Sequence, residues 1–190
     1  MGMKKKQPHT FPIIDTKRIR LRKPAVRDIA RIMTLANNPK IEEMTLSFPY
    51  PYQEEDAVSW LETANTGFEE KDHYIFAIAT LPEDVFIGGI GLEVESDFNR
   101  AEVGFWLGEP YWNKGYVTEA LGSILKFGFE ELSLHKIYAI HLDKNPSSGR
   151  VMEKNGMIRE AKLVDHIKKG DKYFDVIQYR LTKKEFRKRR

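Results

Sequence analysis

Arg100-Ala101-Glu102-Val103-Gly104-Phe105-Trp106-Leu107, then Gly108-Glu109-Pro110-Tyr111-Trp112-Asn113-Lys114-Gly115, then Tyr116-Val117-Thr118-Glu119-Ala120-Leu121 is the stretch on which the fold turns. Val103, Phe105 and Leu107 alternate with Glu102, Gly104 and Trp106, the period of a strand. The segment from Glu109 to Gly115 breaks that period. From about Thr118 to Leu132, Leu121, Ile124, Leu125, Gly128 and Leu132 recur at helical spacing. A helix that starts after a glycine-bearing loop points several N–H groups one way, and its dipole favours an anion there. The candidate donors are the amides of Lys114, Gly115, Tyr116, Val117 and Thr118. Gly115 lets the backbone approach a bulky phosphate, and Lys114 adds charge. On spacing alone, a plain turn before a helix is the competing reading.

Toward the N-terminus, Ile19 and Leu21 alternate with basic residues in a short strand, Arg18 to Arg22, stopped by Pro24. Asp28 precedes the helical stripe Ile29, Ile32, Met33 and Ala36, which ends near Asn37-Asn38-Pro39. Ser47 to Tyr52 carries Pro49 and Pro51 and reads as loop. A second helix places Ala57, Trp60, Leu61, Ala64 and Phe68 on one face. Two strands follow, His73 to Thr80 and Val85 to Val94, apolar on both sides and so expected to be buried on both. Toward the C-terminus come a strand from Lys136 to Leu142 and a helix from Pro146 to Asn155, stopped at Asn155-Gly156. Two last strands, about Ile158 to Ile167 and Tyr173 to Leu181, flank Lys168-Lys169-Gly170-Asp171. Consecutive strands in the first half should pair antiparallel, and helices cross over later. The expected class is α+β with a mixed sheet.

The chain has 190 residues, 41% hydrophobic, 31% charged and 12% aromatic. That length suits one domain or at most two small ones, with a sizeable core. The bounds expected are an extension over 1–15, one domain over 16–182 and a basic tail over 183–190. No apolar run spans a bilayer, and Met1 to Lys6 starts like a signal peptide but continues Gln7-Pro8-His9-Thr10. The expectation is a cytoplasmic protein with no membrane partner. Formal net charge is +3, but nine basic residues lie at the two ends. Setting them and Glu185 aside leaves 22 basic against 27 acidic residues, a body that favours a cationic partner such as an amine. The tail admits RNA contact, with a frayed solvated terminus as the competing reading. Absence of cysteine excludes a thiolate nucleophile and Cys-ligated metals. The five histidines show no HExxH spacing, and neither a GxSxG elbow nor a phosphate-binding GxxxxGK[ST] loop is present. No metal is expected.

Glu102 to Leu107 followed by Tyr111 to Leu121 resembles the coenzyme A site of GNAT acetyltransferases. More closely it is similar to the ribosomal-protein-alanine N-acetyltransferase (RimJ/RimL-like) branch. Asn145-Pro146-Ser147-Ser148-Gly149-Arg150-Val151-Met152-Glu153-Lys154-Asn155-Gly156 resembles that branch's second signature. The element order also matches, from about Thr16 to Leu181. The resemblance implies a splayed, mostly antiparallel sheet flanked by helices, with acetyl-CoA lodged between the Arg100–Leu107 and Lys136–Leu142 strands. Backbone groups of Phe105, Trp106 and Leu107 would then pair with the pantetheine arm, and the loop from Lys114 to Thr118 would take the diphosphate. Asn145 would offer a donor and an acceptor to the pantetheine amides, against a competing role as a turn or cap residue. Ser148 is implied as the group that stabilises or protonates the leaving thiolate, a role compatible with capping its helix.

The sequence departs from the wider superfamily in three places. Trp112 stands where Gln or Arg is usual, and Val117 where Gly or Ala is usual. Met152 occupies the position of a tyrosine acid. Direct attack of an amine on the thioester, through a tetrahedral intermediate, needs orientation, a polarised carbonyl and a proton acceptor. A backbone N–H near Trp106 is the expected polarising group. Glu102 is the candidate base, against a solvated carboxylate paired with Arg100 or a neighbouring lysine. Asp165 and His166 are weaker alternatives. Trp60, Phe68, Trp106, Trp112 and the Phe48-Pro49-Tyr50-Pro51-Tyr52 loop are core or lid candidates, and that loop follows the first helix, where the resemblance implies the acceptor is read. The leading reading is an N-acetyltransferase acting on a primary amine, either a protein N-terminal Ala or Ser or a small amine such as a polyamine or antibiotic. The alternatives are a non-catalytic acyl-CoA-binding protein and a module held on RNA by its tail, with nucleic acid disfavoured. A homodimer is left open.

Overall fold

The computed structural model describes residues 10–189. Lys4 to Lys6 and Arg190, counted above among the basic ends, lie outside the described residues, as does the signal-like start. The elements are β1 (Ile14–Asp15), β2 (Ile19–Arg22), α1 (Ile29–Ala36), α2 (Pro39–Met44), α3 (Glu54–Glu70), β3 (His73–Thr80), β4 (Phe86–Glu95), β5 (Arg100–Leu107), α4 (Tyr116–Glu130), β6 (Lys136–Leu142), α5 (Pro146–Lys154), β7 (Ile158–Lys169), β8 (Lys172–Thr182) and α6 (Lys183–Arg187). The strands form one sheet in the order β1-β2-β3-β4-β5-β6-β8-β7. Every pairing is antiparallel except β5 with β6. Among the described residues, no helix is long and apolar enough to cross a membrane.

Two cores cover the two faces. Tyr74, Phe76 and Ile78 of β3 and Ile90 and Leu92 of β4 pack with Leu121, Ile124 and Leu125 of α4. The opposite face of β3 offers Ala77 to Ile32 and Leu35 of α1 and Ala57 and Leu61 of α3, with Phe86 and Trp106 closing that layer. β3 and β4 are thus buried on both sides, as their unbroken apolar runs predict. Gly89 is required where the layers meet, because a Cβ there would lie 2.7 Å from the Trp60 ring and 2.8 Å from Trp106 Nε1.

One polar anchor is buried at the corner between β2 and α1. Arg22 Nη1 and Nη2 donate to the two oxygens of Asp28 at 2.8 and 2.9 Å, and its Nε donates to Asp84 at 2.8 Å. Asp28 therefore does not cap α1 with its carboxylate; it accepts from Arg22 and from the Ala25 amide.

Four expectations are corrected. α2 forms where only a helix stop was read, because Asn38 caps it through the Lys40 amide and Pro39 suits a first helical position. α4 starts at Tyr116 rather than about Thr118, with Gly115 as its cap. The expected extension contributes β1, paired with β2. The basic tail is not a frayed terminus over 183–187: Thr182 and Glu185 form a capping box for α6, and Phe186 stacks on Phe129 at 4.9 Å.

Candidate functional site

β5 and β6 pair only at Arg100 with Lys136, Ala101 with Ile137 and Glu102 with Tyr138. Beyond that point the strands part, and a cavity of about 850 Å³ runs through the opening. The ladder phase decides which backbone groups face the gap. The Gly108 amide donates to the Ile87 carbonyl at 2.9 Å, and β4–β5 partners run in steps from Gly88 with Leu107. In an antiparallel ladder the bonded pairs alternate, so Trp106, Gly104 and Glu102 bond to β4. Val103, Phe105 and Leu107 turn their main-chain groups to the gap. The Trp106 main-chain groups, expected to pair with the pantetheine arm, are thus turned to β4, and the N–H groups near Trp106 that face the gap are those of Phe105 and Leu107. The Leu107 carbonyl is also engaged, by Trp112 Nε1 at 2.6 Å. Phe105 keeps both its groups open to the gap, and Leu107 keeps its N–H. The Trp106 side chain is buried and lines the cavity, and among the described residues its indole N–H has no partner.

At one mouth of the cavity stands the start of α4. Gly115 has φ +81° and Asn113 φ +59°, so the chain makes two left-handed steps before the helix. The first-turn amides of Tyr116, Val117 and Thr118 have no partner within α4, and these residues line the cavity together with Gly115. This is the cradle an anion needs. Lys114 is the expected site residue that the cavity does not include. Its Nζ folds back to the Pro110 carbonyl at 2.8 Å and lies over the Tyr111 ring. Sequence reasoning missed Arg18, whose Nη1 donates to the Lys114 carbonyl at 2.8 Å.

Asn145 and Ser148 line the cavity at the start of α5. Asn145 is the helix cap: its Oδ1 accepts from the Ser148 amide at 3.3 Å. Its Nδ2 donates to the Met44 carbonyl and to Ser148 Oγ, both at 3.0 Å. Asn145 thus fills the cap role, with its side chain engaged inside the chain. Ser148 is not the cap; its oxygen accepts from Asn145, and among the described residues no acceptor takes its hydroxyl proton. Beneath α5, His141 is buried and also lines the cavity. Its Nδ1 meets the Leu142 carbonyl at 2.8 Å, which fixes the proton on Nδ1 and leaves Nε2 with a bare lone pair. Burial pushes its pKa down, which keeps the ring neutral.

At the vertex where the strands part sits Glu102, the last paired residue of β5. Arg100, its expected partner, instead binds Glu95 through Nε at 2.9 Å and Nη2 at 2.7 Å. Among the described residues no cation pairs with Glu102. Burial raises its pKa, and the neighbouring Glu93 raises it further, against a small lowering by the Tyr138 hydroxyl. Glu93 and His73 line the same end of the cavity, and the His73 ring is held by Asp72 at 2.8 Å.

Asp165 and His166 do not line the cavity. β8 lies between their strand and β6, so β7 is the sheet edge, and Asp165 occupies an irregular, left-handed step of it. Of the Phe48–Tyr52 loop, only Phe48 reaches the cavity, tilted against Trp106 at 5.1 Å. Tyr52 is buried behind it in the α1–α3 core, and Tyr50 is exposed. Trp60 and Trp112 line the cavity, whereas Phe68 packs on Phe11 and Tyr74.

Residues 18–158 match the acetyltransferase (GNAT) domain family. An uncharacterised N-acetyltransferase of Bacillus subtilis (strain 168), YnaD, is 34% identical over 135 residues, 71% of this chain and 77% of that protein. The ribosomal-protein-serine acetyltransferase of Escherichia coli (strain K12) is 26% identical over 138 residues, 72% of this chain and 76% of its own. A crystal structure of a GNAT-family acetyltransferase from Bacillus anthracis superposes with a TM-score of 0.81 at 28% identity, covering 92% of this chain and 100% of that one.

Proposed function

The chain belongs to the GNAT acetyltransferase family and is an acetyl-CoA-dependent N-acetyltransferase, and from that premise we propose that it acetylates a primary amine bound at the Glu102 end of the cavity. Acetyl-CoA supplies the activated acetyl thioester. The amides of Tyr116, Val117 and Thr118 and the left-handed turn at Gly115 receive its diphosphate, while Phe105 pairs with its pantetheine amides as an added strand does. The cradle is of the right chemistry for that group: open N–H donors, a cavity of about 850 Å³ and a glycine at φ +81°.

The observation that carries the catalytic reading is the state of Glu102. It is a carboxylate at the vertex of the gap, with no cation paired to it among the described residues, and burial and Glu93 hold its pKa above the usual range. A base must be a good proton acceptor at working pH and lie where the attacking amine loses its proton. As the N–C bond forms and the C–S bond breaks, Glu102 takes the amine proton, directly or through water. Ser148, with its hydroxyl proton uncommitted, supplies a hydrogen bond to the leaving thiolate.

The acceptor we favour is the α-amino group of a protein that begins with Ala or Ser. The similarity to the ribosomal-protein-serine acetyltransferase supports it. An α-amino group has a pKa of about 8, so about a tenth of it is neutral at pH 7, far more than of an alkyl amine with a pKa above about 10. A polyamine is the second reading, favoured by Glu93 and Glu102 at one end of the cavity, which attract a cation. Thiol release from acetyl-CoA is to be measured over N-terminal peptides, polyamines and aminoglycosides. Turnover with peptides beginning in Ala or Ser is the expected result; turnover confined to small amines overturns the protein-modifying reading. Coenzyme binding without transfer to any acceptor class selects a binding protein.

A further inference from the structure

Arg18, just before β2, reaches across to the loop before α4 and to α4 itself. Its Nε donates to Glu119 Oε2 at 2.8 Å, and its Nη2 pairs with the same oxygen at 2.7 Å. Its Nη1 donates to the Lys114 carbonyl at 2.8 Å, and its guanidinium lies 4.8 Å from the centre of the Tyr116 ring. A Cβ on Gly115 would lie 3.4 Å from Nη2, so the group rests directly on the left-handed turn. The other oxygen of Glu119 accepts from the Thr16 hydroxyl at 2.6 Å and from the Arg18 amide at 3.0 Å.

This arrangement answers an electrostatic difficulty. Glu119 stands one turn into a helix whose first amides form an anion cradle, and a bare carboxylate there repels the anion. Burial raises its pKa, but the bonds from Thr16 and Arg18 outweigh burial and hold it below the usual range, so it stays ionised. The charge cannot be removed by protonation; it is cancelled by a guanidinium. The same guanidinium engages the Lys114 carbonyl, so that oxygen is not left bare beside the turn. Because Lys114 itself folds back onto Pro110, Arg18 is the cation that rests on this turn.

We propose that Arg18 is the positioning residue of the diphosphate cradle, neutralising Glu119 and holding the 114–115 turn so that the α4 amides bind the coenzyme's diphosphate. The inference rests on the coenzyme placement proposed above. It differs from a purely structural staple in one respect: its effect depends on the ligand having a diphosphate.

The test is calorimetric binding of CoA and of pantetheine, which lacks the diphosphate, to the full chain and its variants. Arg18→Ala is expected to weaken CoA by about tenfold and pantetheine by less than about twofold. Arg18→Ala combined with Glu119→Gln should recover most of the lost CoA affinity, because the repelling charge goes with its partner. Arg18→Lys keeps the charge without the planar fork and should fall between, at about threefold; it carries the test if the alanine variant does not fold. Arg20→Ala removes the exposed pair that Arg20 of β2 makes with Asp15 of β1 and should change neither ligand. Equal weakening of both ligands, or a double variant no better than Arg18→Ala, overturns the inference while leaving the coenzyme site intact. A wild-type protein that binds CoA no more tightly than pantetheine overturns the diphosphate placement itself.

Discussion

Asp28 is a buried carboxylate and Glu102 a half-buried one, and the molecule treats them in opposite ways. At the β2–α1 corner, Asp28 and Arg22 have side chains only 5% and 8% exposed, joined by two hydrogen bonds, with Asp84 on the guanidinium's remaining edge. At the β5–β6 vertex, Glu102 has another carboxylate, Glu93, as its electrostatic neighbour, and the nearby arginine is engaged by Glu95. Burying a charge costs several kcal/mol unless a partner compensates it. The corner is compensated and so serves the fold. The vertex is not, and an uncompensated group in a cleft is where proton chemistry is to be sought.

The comparison also fixes two signs of pH dependence. Burial raises the Asp84 pKa, but Arg22 and Arg27 outweigh it and hold it below its ordinary 3.8. Its stabilising contribution is therefore complete above the ordinary Asp range and is lost as pH falls through the depressed value. Glu102 is raised above its ordinary 4.5. The folded state then holds that proton more tightly than the unfolded chain, so stability falls as pH rises from the ordinary Glu range through the raised value.

The largest effect should come from breaking the compensated site. Asp28→Ala leaves the Arg22 charge buried with only Asp84 beside it, a loss of about 3 kcal/mol. Urea unfolding should show a lower midpoint at unchanged slope. A loss under about 1 kcal/mol would mean that water or Asp84 solvates Arg22, and the contrast between the two carboxylates would fail.

Breaking the uncompensated site should do the reverse. Glu102→Gln is expected to lower kcat by about 100-fold while raising the melting temperature at neutral pH by a few degrees (~1 kcal/mol or less). The rise of kcat with pH that reports ionisation of Glu102 should disappear in the variant. A variant that loses stability, or keeps the acid limb of its profile, shows that Glu102 is an ordinary strand carboxylate.

How much of this was legible in the sequence follows from the range of each interaction. β3, β5 and β6 have the bounds that their apolar patterns give, because period-two burial is written in neighbouring residues. α2 was missed because Asn38-Pro39 reads equally as the end of one helix and the start of the next. β1 is two residues long and carries no period. The motif residues Gly115 to Thr118, Asn145 and Ser148 could be placed from their order, and all line one cavity. What they do there could not. The engagement of Asn145 with Met44, 101 residues away, and of Arg18 with Glu119, equally distant, exists only once the sheet brings the chain together. Likewise, the alternation at Trp106 was visible, but which strand its amide faces depends on the phase set at Gly108.

The smallest effect separates two neighbours at the start of α5, where the same contrast recurs among neutral groups. Asn145 has its acceptor on the Ser148 amide and its donors on Met44 and Ser148, so it holds the fold. Ser148 accepts one bond, and among the described residues no acceptor takes its proton. Ser148→Ala removes a single acceptor from Asn145, which retains Met44 and the helix amide. The expected result is a fall in kcat of about tenfold, with binding of CoA unchanged and stability within about 0.5 kcal/mol. Asn145→Ala, by contrast, deletes a cap and frees the Met44 carbonyl, at a cost of about 1–2 kcal/mol in stability. If the serine variant instead lost stability while kcat held, the hydroxyl would belong with Asn145 and the fold, and the leaving thiolate would have to depart without it.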